Sequence, residues 1–80
     1  MNDEHILERL TRVFREVFDD QAIVVQPDMT ARDVEKWDSL SHVDMIILVE
    51  EEFAIRIPTL EVMGLKNVGD LVRIIRAKAG

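Results

Sequence analysis

The residues between Asp3 and Phe18 place Ile6, Leu7, Leu10, Val13, Phe14, Val17 and Phe18 at one-face helical spacing, with Glu8, Arg9, Arg12, Arg15 and Glu16 on the other side. A period of 3.6 sustained over four turns predicts an amphipathic helix that must bury one stripe against partner elements. Asn2 or Asp3 can cap its start, and Asp19-Asp20 mark its end. A chain of 80 residues suits one domain spanning 1–80, and a domain of this size buries only roughly 60% of the surface its unfolded chain exposes. A deep enzyme cleft is hard to build on that scale.

The remaining segments point the same way. From about Ser39 to Phe53, Leu40, Val43, Ile46, Ile47, Glu50 and Phe53 recur at steps that place the apolar members toward the core. Met45, Leu48 and Val49 widen that surface, and Ser41, His42, Asp44, Glu51 and Glu52 are expected to be wet. After Ile57-Pro58, Thr59 is a candidate cap for a short helix through Leu60, Val62 and Met63 that stops at Gly64. A fourth helix begins at Asn67, with Asp70 in a capping arrangement, and buries Val68, Leu71, Val72, Ile74 and Ile75. Arg73, Arg76 and Lys78 sit near its end, where positive charge suits the helix dipole. Ile23-Val24-Val25 is β-branched but has no second run to pair with, so the stretch from Asp19 to Trp37 is expected as a packed loop whose apolar residues, with Met29, Val34 and Trp37, plug one end of a bundle. Thr30 with Asp33 allows one capped turn inside it. The predicted fold is all-α: a small four-helix bundle with a long loop between helices one and two and a short third helix.

Charge and composition exclude several functions. There is no cysteine, so disulfides and Cys-based metal sites are absent, and His5 and His42 are too few for a His-rich site. No metal site is expected. No apolar run approaches the roughly 20 residues of a membrane span, and Met1-Asn2-Asp3-Glu4-His5 lacks the basic and apolar parts of a signal peptide, which points to the cytoplasm. The net charge of −6 opposes binding to nucleic acid. All of the excess falls between Asp28 and Glu52, where Asp28, Asp33, Glu35, Asp38, Asp44, Glu50, Glu51 and Glu52 outnumber Arg32 and Lys36. Such a face either keeps the domain soluble or steers a basic partner.

Within this acidic tract, Trp37-Asp38-Ser39-Leu40 stands at the mouth of the second helix. Asp38 is placed to cap it, and a serine just behind that cap lies where free backbone N–H groups and the positive dipole end accommodate phosphate. Asp38-Ser39-Leu40, Val43-Asp44, Glu50-Glu51-Glu52-Phe53 and Ile55-Arg56-Ile57-Pro58 together resemble the acyl carrier protein family over nearly the whole chain. That resemblance implies that Ser39 is the attachment point of 4′-phosphopantetheine, transferred from coenzyme A by a phosphopantetheinyl transferase with a divalent metal. The arm's thiol then holds an acyl or related group as a thioester. It further implies that Asp38 helps present Ser39, that Leu40 and Val43 flank the bound chain as core residues, and that Asp44, Glu50 and Glu51 dock enzymes with basic surfaces that load, transfer or condense acyl groups. Such a chain is a carrier and a substrate of other enzymes, and a monomer suits a shuttle.

Lys36 stands three residues before the serine, where many fatty-acid carriers have glycine, and is followed by the bulky Trp37; Ser41 replaces an acid that often follows the motif. These departures point to a stand-alone carrier in a dedicated lipid or secondary-metabolite pathway, with a peptidyl or aminoacyl carrier and an unmodified acidic interaction domain as the alternatives. A Ser39-His42 hydrolase lacks a glycine-flanked nucleophile elbow, an orienting group behind the base and an oxyanion hole. Glu50-Glu51-Glu52 lacks the alternating ligands and central glycine of a calcium loop.

Overall fold

A computed structural model describes residues 2–34 and 36–79; Glu35, counted above among the acids, lies outside them. The described residues form α1 (Asp3–Val17), α2 (Ser39–Phe53), α3 (Thr59–Met63) and α4 (Val68–Ala79), with no strand among them. The all-α architecture and the order of elements follow the sequence expectation.

Asn2 caps α1 by accepting a hydrogen bond from the His5 N–H, and Ile6, Leu10, Val13 and Phe14 bury the face that meets α2 and α4. Phe18, just past the helix, is also buried. Phe14, Phe18 and Trp37 form an aromatic cluster, with the Phe14 and Trp37 rings edge to face at 5.3 Å between centroids. In α4, Val68, Leu71, Val72 and Ile75 are buried while Ile74 is only partly so. Asn67 caps that helix by accepting from the Asp70 N–H, and the Asp70 carboxylate reaches back to the Lys66 N–H. Arg76 pairs with Asp3 at 2.8 Å and Lys78 with Glu61 at 3.3 Å, so basic residues of α4 tie α1 and α3 to it.

Two expectations fail. The core face of α2 is Met45, Ile46, Val49 and Phe53, whereas Leu40, Val43 and Ile47 point outward, Leu40 with 79% of its surface exposed. This helix is apolar around nearly its whole circumference, so spacing alone does not choose a face; packing against α1 does. Three of the residues expected to be wet, Ser41, His42 and Glu52, are half-buried. Glu52 is drawn in by Arg9, whose Nε lies 2.7 Å from its carboxylate while the guanidinium sits 4.5 Å over the Phe53 ring. The second failure is the cap of α3. Pro58 occupies the cap position without a side-chain hydrogen bond and Thr59 is the first helical residue. The Pro58 carbonyl instead accepts from the Glu61 and Val62 N–H groups. No side chain of α3 is fully buried.

The loop from Asp19 to Trp37 is packed, as its apolar residues require: Val25 and Val34 are buried and Ile23, Met29 and Trp37 lie against the core. Its backbone is fastened by side chains of α1, with Arg15 Nε donating to the Ile23 carbonyl at 2.7 Å and Thr11 Oγ1 accepting from the Val25 N–H. The Thr30-Asp33 turn forms, with the Thr30 N–H bonded to the Asp33 carboxylate at 2.9 Å. At its far side the loop meets α4, whose Val68 and Gly69 N–H groups donate to the Met29 and Pro27 carbonyls at 2.9 and 2.8 Å. Gly69 suits this close approach, because a Cβ would lie 3.0 Å from the Pro27 oxygen, tighter than an ordinary contact. These anchors fix where the loop delivers Trp37 and Asp38.

Candidate functional site: the start of helix α2

Asp38 has extended backbone geometry, and its side chain accepts from the N–H groups of Leu40 and Ser41 at 3.0 and 2.9 Å. Ser41 completes a capping box: its Oγ accepts from the Asp38 N–H at 2.8 Å and donates to the Lys36 carbonyl at 2.8 Å. Hydrogen bonds from Ser41, first its backbone N–H and then its hydroxyl, lower the pKa of Asp38, and the Leu40 N–H adds to them. The acid therefore stays ionised beside the helix end. Ser41 was not foreseen as a structural partner; the signal was present, since a hydroxyl three residues after an acidic cap is a capping-box spacing.

Ser39 is the first residue of α2 and is exposed. Its hydroxyl makes no hydrogen bond among the described residues, because the capping duties fall on Asp38 and Ser41. Beside it opens a cavity of ≈ 360 Å³ between α2, the end of the loop and the start of α4, with Trp37, Met45, Leu65 and Leu71 as apolar walls and Asp38, His42 and Lys66 as polar ones. Expected as an exposed residue, His42 is half-buried, and its Nδ1 accepts from the Trp37 indole N–H at 3.0 Å. Sequence reasoning did not see this pair, since it joins a loop to a helix and has no periodicity.

The other residues singled out in the sequence fall into two groups. Asp44 and Glu51 are exposed on α2, and Leu40, Val43, Ile47, Leu60 and Met63 add exposed apolar side chains from α2 and α3. The reading of Leu40 and Val43 as core residues is thus overturned. Glu50 differs from its neighbour: it is half-buried, and its carboxylate accepts from the Ile57 N–H at 2.8 Å, bracing the segment between α2 and α3. Among the described residues no cluster of His and acidic side chains could hold a metal ion, and no helix is long and apolar enough to cross a membrane.

A family model described as the phosphopantetheine attachment site matches residues 8–75. The acyl carrier protein of Acidothermus cellulolyticus is 40% identical over 75 residues, covering 94% of this chain and 89% of that one. The chain belongs to the acyl carrier protein family. An acyl carrier protein of Prochlorococcus marinus is 32% identical over the full length of both chains. The solution structure of a holo acyl carrier protein from Geobacter metallireducens superimposes with a TM-score of 0.84 at 43% identity, covering 90% of this chain and 83% of that one. An acyl carrier protein from Thermotoga maritima shares the fold at the same TM-score with 24% identity. Acyl carrier proteins are carriers rather than enzymes, and their prosthetic group is covalently bound 4′-phosphopantetheine. The start of α2 fits that group: an exposed serine with an uncommitted hydroxyl stands at a helix N-terminus, beside a largely apolar hollow.

Proposed function

We propose that Ser39 carries the 4′-phosphopantetheine and that the chain presents acyl or related groups to partner enzymes in a dedicated lipid or secondary-metabolite pathway. The observation that carries this reading is the division of labour at the head of α2. Asp38 and Ser41 satisfy the helix end, which leaves the Ser39 hydroxyl exposed and without a hydrogen-bond partner among the described residues. Once attached, the arm supplies the thiol that a cysteine-free chain lacks, tethered so that its effective concentration at a docked enzyme is high.

This chain's own residues do the remaining work. Asp38 and Leu40 flank the serine that a phosphopantetheinyl transferase must reach. Exposed Asp44 and Glu51 give α2 a negative surface for enzymes with basic docking patches, and the neighbouring exposed apolar side chains supply contact area once charge has brought the partners together. Lys36 and Trp37 before the motif, in place of the glycine of many fatty-acid carriers, support service to a dedicated enzyme set; efficient charging and elongation by a general fatty-acid synthase system would sink that part. A cytoplasmic monomer suits this role.

The test is intact-mass spectrometry of the purified chain after incubation with coenzyme A, a divalent metal and a broad-specificity phosphopantetheinyl transferase, followed by peptide mapping. One phosphopantetheine on Ser39, absent from a folded Ser39→Ala variant, is the expected result. No gain in a folded and initially unmodified chain would favour the unmodified acidic interaction domain instead.

A further inference from the structure

His42 lies one helical turn after Ser39, and side chains three residues apart on a helix are neighbours, with Cβ atoms about 5–6 Å apart. Both residues line the same cavity. The Trp37 indole has only a donor, so by bonding to Nδ1 it makes that nitrogen the acceptor and leaves the proton of the neutral ring on Nε2. Trp37 is itself held edge-on against buried Phe14, and the two ring planes of Trp37 and His42 lie within 16° of each other. The tautomer and orientation of His42 are therefore anchored in the core. Its Nε2–H has no partner among the described residues, although the rest of the cavity wall is mostly apolar. An anchored donor facing no acceptor among the described residues, next to an exposed serine, suits an acceptor that arrives on that serine.

We propose that His42 is a positioning residue for the prosthetic arm: its Nε2–H donates to a phosphodiester oxygen on Ser39, and the methyl-bearing first segment of the arm lies over Trp37 in the cavity. This rests on Ser39 being the attachment site. A phosphate oxygen is the nearest acceptor that modification of Ser39 would create, and a charge-assisted bond to it outweighs one to a neutral carbonyl farther along the arm. The charged groups facing His42 are Asp38 at the head of its own helix and Lys66 across the cavity. The Asp38 carboxylate already accepts two backbone N–H groups, so the Nε2 donor is not spent on it. The Lys66 ammonium has no ion-pair partner among the described residues and adds a second attraction for the same anion. The arm would then leave the protein from a defined direction rather than swing freely from its first bond.

The experiment uses the full chain loaded with phosphopantetheine, as wild type, His42→Gln and Trp37→Phe, each checked for helical content and mapped by mass. In the wild type, ring ¹⁵N signals of His42 should place the proton on Nε2, and the phosphodiester ³¹P shift should differ from that of His42→Gln at the same pH. The pantoyl methyl groups should also show nuclear Overhauser contacts to His42 and Trp37 ring protons. Trp37→Phe should weaken those contacts and redistribute the ring ¹⁵N tautomer signal. A ³¹P shift unchanged by His42→Gln, or no methyl-ring contact in the wild type, overturns the proposal while leaving Ser39 as the attachment site. Loading at another residue overturns the functional reading itself, so the two failures are told apart by the mapping.

Discussion

Replacing Glu50 and Glu51 one at a time separates a brace from a docking charge. Glu50 accepts from the Ile57 N–H at 2.8 Å, and Ile57 is buried, so Glu50→Ala strands a backbone donor next to the core. A hydrogen bond to a charged group contributes about 1.5–3 kcal/mol, and half-exposure of Glu50 places it at the low end, about 1.5 kcal/mol. For a domain of this size each kcal/mol moves Tm by about 4–8 °C, which gives a loss of about 6–12 °C. Glu51 is exposed without a described partner, so Glu51→Ala should stay within about 0.5 kcal/mol. Both acids lie in the last turn of α2, where removing a negative charge relieves an unfavourable dipole interaction; the comparison between the two variants cancels that gain. Glu50→Gln keeps a neutral acceptor and should recover roughly half of the loss. Thermal and urea unfolding followed by ellipticity at 222 nm reads all three. Glu50→Ala melting together with Glu51→Ala would refute the bracing role.

Ala54 ends α2 in the left-handed region at φ 54°, so Ala54→Gly should stabilise the domain by about 0.5–1 kcal/mol, seen as a higher urea midpoint at unchanged slope. The lowered pKa of Asp38 means that its contribution to stability is fully present above the ordinary carboxylate range and disappears as pH falls through the lowered folded-state value. Asp38→Asn, which keeps a capping side chain, should flatten the acid limb of a stability-against-pH curve relative to wild type. Asp44→Lys and Glu51→Lys should slow association with a basic partner enzyme in stopped-flow measurements, with the deficit shrinking as salt rises past about 0.1 M, where the screening length is about 10 Å. Equal deficits at low and high salt would remove steering from the explanation.

The sequence made α1, α4 and the packed loop legible because each has polar residues that break the apolar pattern and so define a face. Arg9, Arg12 and Glu16 do this for α1; Asp70, Arg73 and Arg76 do it for α4. In α2 the uninterrupted stretch from Met45 to Val49 removes that contrast, and the face toward α1 is decided by contacts with a helix that lies far off in sequence. At the site, Asp38 as cap and Ser39 as the exposed serine were readable from local order. The Trp37-His42 bond and the Glu50 brace to Ile57 were not, because they depend on where a loop returns rather than on any spacing within one element.

The seam between the loop and α4 bears on how carriers of this family can be recombined. The carbonyls of Pro27 and Met29 and the N–H groups of Gly69 and Val68 are complementary halves of one joint, separated by about half the chain and brought close at a residue without a side chain. A chimera that takes its loop from one relative and its last helix from another keeps this joint best when both halves come together. A side chain at position 69 would set a Cβ 3.0 Å from the Pro27 oxygen, so the loop there would have to give way by a few tenths of an ångström. The loop and the last helix thus form a single unit of exchange, although the segment that holds Ser39 lies between them in sequence.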